Sequence, residues 1–287
     1  MQSNNPVFRR SEEFNRGGQN APSYGNQTYA GNGYPGNDPS QWGTGTPGDQ
    51  GYGLAPDGGR MTIDTVVQKT AITLGLVIVT ALATWIMTPD MTPGANVAAL
   101  FSAAMIGSLG AFALSMVLSF KREISPALVL VFAALEGVAL GAFSKVLDGY
   151  VGGEGNIVSG AVFGTMAAFA GTLAAYKFFE IKVGDKFRKG VMAAMFGMVG
   201  LAMMSFVLSI FGVNTGLFGF GFLGTITAVV GLVLGVFMLI LDFDFVEKGI
   251  ANGLPERESW RAAFAMTVSL VWIYTNLLRL LAILQSD

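Results

Sequence analysis

The chain has 287 residues, 52% of them hydrophobic and only 13% charged, with a formal net charge of -2. A soluble domain carries about a quarter charged residues, so this composition excludes an ordinary soluble fold. The negative balance, with no single basic patch, excludes a nucleic-acid partner. There is neither cysteine nor histidine, which removes disulfides, thiolate catalysis and the usual zinc ligands.

Any ion handled here must therefore be met by carboxylates, carbonyls or hydroxyls, which suit protons, sodium or calcium. A protonatable switch would have to be a carboxyl group. No cofactor is expected.

Residues 1–60 are Gly, Asn, Pro, Tyr and Gln with almost no aliphatic residue. Such a segment cannot bury enough apolar surface to offset its ordering entropy, and it reads as a disordered tail. No apolar stretch of signal-peptide type opens the chain. Residues 61–287 read as an all-α membrane domain of seven transmembrane helices.

Crossing a hydrocarbon core takes roughly 20 apolar residues. Blocks of that kind run over 70–87, 95–120, 126–147, 157–179, 190–211, 217–241 and 262–284. The third opens with Pro126, tolerated in a first helical turn.

The loop charges set the orientation. Arg60, Lys69, Lys121, Arg122, the five cations between Lys177 and Lys189, Lys248, Arg257 and Arg261 all fall at one set of loops, and the alternate loops carry no Lys or Arg. The positive-inside bias predicts a cytoplasmic N-terminus and an extracytoplasmic C-terminus. Glycines at four-residue spacing (Gly137 and Gly141, Gly160 and Gly164, Gly231 and Gly235) allow close helix approach and carry no functional weight by themselves.

Ionisable residues inside spans mark a polar path or a lock between helices. Glu136, near the middle of the third span, costs several kcal/mol to insert on translocon scales and is expected to face the bundle interior. It reads either as an ion or proton site or as a carboxyl making one interhelical hydrogen bond. Lys145 and Asp148, at the outer end of that span, read as snorkelling groups. Arg279 in the seventh span reads either as snorkelling outward or as a latch to Glu136.

Asp242 and Asp244 close the sixth span. Two residues apart, they point about 200° from each other on a helix and cannot share a proton. Asp244 is spaced to pair with Lys248 at headgroup level, whereas Asp242, beside the apolar run 237–241, is the better candidate for a titrating group.

Enzyme signatures are missing: there is no Ser/His pair, metal-ligand cluster or phosphate loop. An intramembrane aspartyl hydrolase would need Glu136 and Asp242 to meet, and the apolar blocks put them about ten ångströms apart in depth. A non-enzymatic protein is expected. A secondary transporter is disfavoured because no internal repeat or Pro-broken helix pair is visible.

The acid closing the sixth span in Leu241-Asp242-Phe243-Asp244-Phe245, then Trp260, Ser269-Leu270-Val271-Trp272-Ile273-Tyr274 and Asn276-Leu277-Leu278-Arg279-Leu280-Leu281, resemble the Bax inhibitor-1/YccA family over about 61–284. The opening Asn5-Pro6-Val7-Phe8 and the Gly/Tyr-rich leader resemble its bacterial branch. The resemblance implies a seven-helix bundle of the plasma (inner) membrane whose last helix is surrounded by the other six.

It also implies a pH-sensitive leak for calcium or other cations, in which an aspartate ending the sixth helix faces one in the seventh. Asp242 matches the first of these and Arg279 matches the arginine near the end of the seventh helix. The second aspartate does not carry over: ten residues before Arg279 stands Ser269, which cannot titrate. The resemblance thus implies either gating by another route, through Glu136, or loss of the pH sensor. The alternative it implies is a non-transporting regulator that binds a membrane-bound quality-control protease.

Overall fold

The computed structural model describes residues 59–92, 96–153, 155–179 and 181–286. The tail expected over residues 1–60 lies outside them, save for Gly59 and Arg60. The described residues form seven helices: α1 Ile63–Met87, α2 Ala98–Phe120, α3 Pro126–Tyr150, α4 Asn156–Phe178, α5 Asp185–Ile210, α6 Phe222–Ala251 and α7 Glu258–Gln285. All seven are long and apolar enough to cross a membrane, so the protein is a multi-pass membrane protein.

Several helices overrun the apolar blocks. α1 starts seven residues before Thr70 because Thr62 and Thr65 form a capping box: the Thr65 amide donates to Thr62 Oγ1 at 3.2 Å and the Thr62 amide to Thr65 Oγ1 at 3.0 Å. Two orphan donors are thereby satisfied reciprocally. The largest difference is in α6, which runs ten residues beyond Leu241 to Ala251 and begins at Phe222 rather than Leu217. Its charged last turns find partners within the protein, described below, so the helix need not stop where hydrophobicity does. Gly253, at φ +65°, then ends it: the Leu254 amide reaches back to Gly249 O at 3.0 Å, a closure that a left-handed residue permits.

The α6–α7 turn defines one end of the bundle, here called the hairpin end, and the chain grips it from two sides. The segment entering α1 pairs with the turn as a short antiparallel bridge, the Met61 amide donating to Leu254 O at 2.8 Å and the Glu256 amide to Gly59 O at 2.7 Å. Lys69, nearly buried on α1, pairs with Glu256 at 2.8 Å. From the α2–α3 loop, Ile124 O accepts from Arg257 Nε at 2.9 Å, and Arg122 O accepts from Arg261 Nη2 at 2.7 Å. Cations that set the orientation in the sequence thus also serve as ties within the fold.

α7 is the central helix. It packs extensively on α6, α1, α4 and α3, rather than on all six others. α2 lies along α3 and reaches α7 chiefly through the cluster of Ala111, Leu118, Phe132 and Phe264, while α5 packs on α6. Only Val191 and Met198 of α5 are buried.

Several of the paired glycines sit at close approaches between helices. A Cβ on Gly137 would collide with the Val77 carbonyl of α1, and one on Gly235 would come within 2.6 Å of Ile273 of α7. Backbones drawn this close gain the dispersion contacts that hold helices together in lipid.

Candidate functional site at the α6–α7 interface

On α7, Ser269, Trp272, Asn276 and Arg279 recur at three- and four-residue spacing, which places them along one stripe of the helix. That stripe faces α6 and is the polar seam of an otherwise apolar bundle.

At its deeper end Ser269, fully buried, donates its hydroxyl to Asp242 Oδ2 at 2.5 Å. One turn on, Trp272 Nε1 donates to Gly231 O at 2.8 Å. Asn276 follows, its Nδ2 donating to Trp272 O at 2.8 Å, and its amide fills the space that a side chain on Gly231 would occupy. At the far end Arg279 donates from Nη2 to Thr227 Oγ1 at 3.4 Å and lies 5.0 Å over the Phe218 ring. The seam from Ser269 to Arg279 climbs about 15 Å at the helical rise.

Arg279 therefore does not latch to Glu136. It sits roughly 31 Å along α7, against about 15 Å along α3 for Glu136, counting from the hairpin end of each helix. With that offset the guanidinium finds the first turns of α6 and the ring of Phe218.

Glu136 lies on α3 between two contacts with α7. Phe132 packs edge-on against Phe264 at 5.0 Å, and Ser144 shares a 2.7 Å hydrogen bond with Tyr274. Glu136 itself is half-buried and, among the described residues, has no hydrogen-bond or ion-pair partner. The interhelical hydrogen bond that was one of its two readings is not formed.

The depth expectation is corrected as well. Asp242 stands opposite Ser269, eleven residues into α7, and Glu136 is ten residues into α3. Both are thus about 15 Å from the hairpin end. The sequence placed Asp242 at the foot of the sixth span, but α6 continues below it. The two carboxyls nonetheless stay apart, because Asp242 meets the Ser269 face of α7 while α3 meets the Phe264 and Val268 face.

Asp244 points away from Asp242, as the helix requires. It pairs with Lys248 at 2.8 Å, as the spacing predicts, and also with Arg188 Nη2 of α5 at 2.8 Å. At 4% exposure it is buried within the protein rather than open to its surroundings. Nearby, Tyr176 of α4 donates its hydroxyl to Glu247 Oε2 at 2.5 Å. These bonds tie α4 and α5 to the last turns of α6.

Lys145 and Asp148 do not snorkel. Lys145, 6% exposed, donates to the carbonyls of Trp85 and Thr88 and pairs with Asp90 at 2.9 Å. It thereby satisfies carbonyls that the last turn of α1 leaves open. Asp148, 3% exposed, accepts the Gly155 amide at 2.9 Å and orders the α3–α4 loop.

Asp242 has a second neighbour. A cavity of about 240 Å³ between α5 and α6, lined by Val191, Met195, Val199, Met238 and Leu241, has Asp242 in its wall. The carboxyl thus stands between the central helix and a side opening of the bundle. Among the described residues no cluster of three or more acidic side chains is placed to hold a metal ion.

Arg188, Trp272 and Asn276 were not among the site residues expected from the sequence, although Trp272 and Asn276 lie in the stretches that carry the resemblance. The helical spacing of Trp272 and Asn276 with Ser269 and Arg279 was the signal available for two of them; nothing local points to Arg188. A family model described as Bax inhibitor 1 like matches residues 5–286 of the chain, a wider span than the resemblance over 61–284. No curated protein matches the chain.

Proposed function

This chain belongs to the Bax inhibitor 1 like family, and from that premise we propose that it is a passive cation leak, for calcium or protons, in a bacterial plasma membrane. Its hairpin end and N-terminus face the cytoplasm, in keeping with the Lys and Arg bias of those loops. The observation that carries the reading is the Ser269–Asp242 hydrogen bond within the membrane-spanning part of the bundle. An intramembrane carboxyl is expensive to insert and is characteristic of an ion or proton pathway.

The bond closes the deep end of the α6–α7 seam. A proton on Asp242 removes the negative charge that strengthens the serine's hydrogen bond, and a divalent cation draws the carboxylate away from the serine. Loss of that bond loosens α6 from α7 at this level, and Trp272, Asn276 and Arg279 offer polar groups onward to the far end. Glu136 lies at equal depth against another face of α7 and serves as a second carboxyl along the bundle's interior.

A hydroxyl in place of a second acid changes the response to pH. Two facing carboxyls titrate as a coupled pair in two macroscopic steps. Asp242 with Ser269 has a single proton to exchange, so flux should follow a single step.

Purified protein in liposomes loaded with a calcium dye tests the proposal. The expected result is a leak that Asp242→Asn changes several-fold and Glu136→Gln changes less. Flux no greater than in protein-free liposomes between about pH 5 and pH 8 sinks it.

A further inference from the structure

The α5–α6 groove at the hairpin end has the makings of a lipid seat that is independent of ion flux. Two cavities meet there. One, about 400 Å³, is bordered by Arg188, Lys248 and Asn252. The other is the apolar cavity of about 240 Å³ walled by Met195, Val199 and Met238. Met192 and Leu241 line both, so a charged mouth continues directly into an apolar slot.

Along α5 the sequence of groups is Arg188, then Met192, Met195 and Val199. These follow one helix face and descend about 16 Å from cation to apolar floor. α5 packs on α6 and leaves Met192 50% exposed and Phe196 74% exposed beside the slot, so the opening faces outward.

The charge at the mouth is positive. Arg188 and Lys248 share Asp244, leaving one excess positive charge among the three groups. Lys189, exposed one residue beyond Arg188, and the exposed Lys182 and Lys186 nearby add positive charge at this end of the bundle without lining the mouth, and they have no ion pair among the described residues. Against them stand Asp185 in the first turn of α5 and Glu247, which already accepts the Tyr176 hydroxyl.

The geometry points to a binding site for one anionic phospholipid, its phosphate between Arg188 and Lys248 and an acyl chain in the slot along Met195 and Val199. Basic pockets between membrane helices at the cytoplasmic side are suited to anionic headgroups, and both cations keep donors free beyond their bond to Asp244, since a guanidinium has five and an ammonium three. A zwitterionic phospholipid fills the slot equally well and offers the same phosphate, but its choline cation is repelled by Arg188 and Lys248 and offsets much of the gain at the mouth. Asp242 stands in the slot wall below the phosphate position and repels a headgroup that slips deeper, which sets the register.

The full-length protein in detergent, titrated with phosphatidylglycerol or phosphatidylcholine of the same acyl chains and read by native mass spectrometry, tests this. Phosphatidylglycerol is expected to bind at least about tenfold more tightly, 1.4 kcal/mol on the usual conversion. The combined change Arg188→Gln, Asp244→Asn and Lys248→Gln leaves no buried charge alone and should bring phosphatidylglycerol down to the phosphatidylcholine level. Lys248→Arg should retain binding. Val199→Trp, which fills the slot under an intact mouth, should weaken both lipids, and glycerophosphoglycerol without acyl chains should bind far more weakly than the lipid. Equal affinity of wild type for the two lipids overturns the inference, as does phosphatidylglycerol binding unchanged by both the triple change and Val199→Trp.

Discussion

Ser269 donates its hydroxyl to Asp242 at 2.5 Å across the α6–α7 interface, at the level where Glu136 approaches α7 from another side. A hydroxyl and a carboxyl therefore meet where two acids would form a coupled pair. Ser269→Asp should convert the one-step pH dependence of flux into a profile with two separated steps, since facing carboxyls split their titrations. Flux against pH in liposomes reads this directly. A single unshifted step in the variant means that Asp242 and position 269 do not set the response.

Removing the serine hydroxyl acts on stability as well. Ser269→Ala leaves a largely enclosed carboxyl without its donor, a loss of about 1–3 kcal/mol for a buried polar group left unsatisfied. Thermal unfolding in detergent should show a lower midpoint for Ser269→Ala. Asp242→Asn retains an acceptor for the serine and should be milder.

Gly231 is the narrowest point of the seam, since any side chain there meets the Asn276 amide. Gly231→Val should separate α6 from α7 and destabilise by about 1–3 kcal/mol, the usual magnitude for overpacking. Gly75→Ala on α1, where an added Cβ meets nothing within 4 Å, is the matched control and should be neutral or slightly stabilising, because alanine is the better helix former. Midpoints of unfolding for the two variants give the comparison.

The segment entering α1 sets a sharp limit on truncation. Gly59 to Met61 pair with the α6–α7 turn, and Met61 is 2% exposed beneath it. Deleting residues 2–58 should leave thermal stability unchanged, whereas deleting 2–61 should lower it by removing the bridge and the buried methionine. If the protein binds a quality-control protease through its N-terminal segment, the shorter deletion abolishes co-purification of that protease; retention means that the segment is not the handle.

Asp244 is buried between two cations that are themselves about half exposed. Asp244→Ala leaves Arg188 and Lys248 facing each other. Because water screens both, the expected loss is about 1–2 kcal/mol, below the 3–5 kcal/mol of a fully buried pair. Its specific sign should be loosening of α5 alone, seen as faster hydrogen exchange over residues 185–200 with α7 unaffected.

The seven spans were legible because each apolar block is a membrane's width long, and lipid leaves a spanning segment few alternatives to a helix. The overrun of α6 was not, since charged residues at a span's end look like headgroup anchors until their partners are known. Asp244 illustrates this: Lys248 is four residues away and readable, while Arg188 is 56 residues away in sequence and arrives only through the packing of α5 on α6. That hidden overrun also moved Asp242 from the foot of a span to the depth of Glu136. Lys145 was misread for the same reason, because the carbonyls it holds belong to another helix.

Calcium flux into dye-loaded liposomes, compared among wild type, Asp242→Asn and Ser269→Ala at matched protein density, tests the account most directly. Wild type should leak above protein-free liposomes, Ser269→Ala should leak several-fold faster because the closing bond is gone, and Asp242→Asn should lose most of the pH dependence. Equal flux and equal pH dependence in all three would contradict a gate at the Asp242–Ser269 bond.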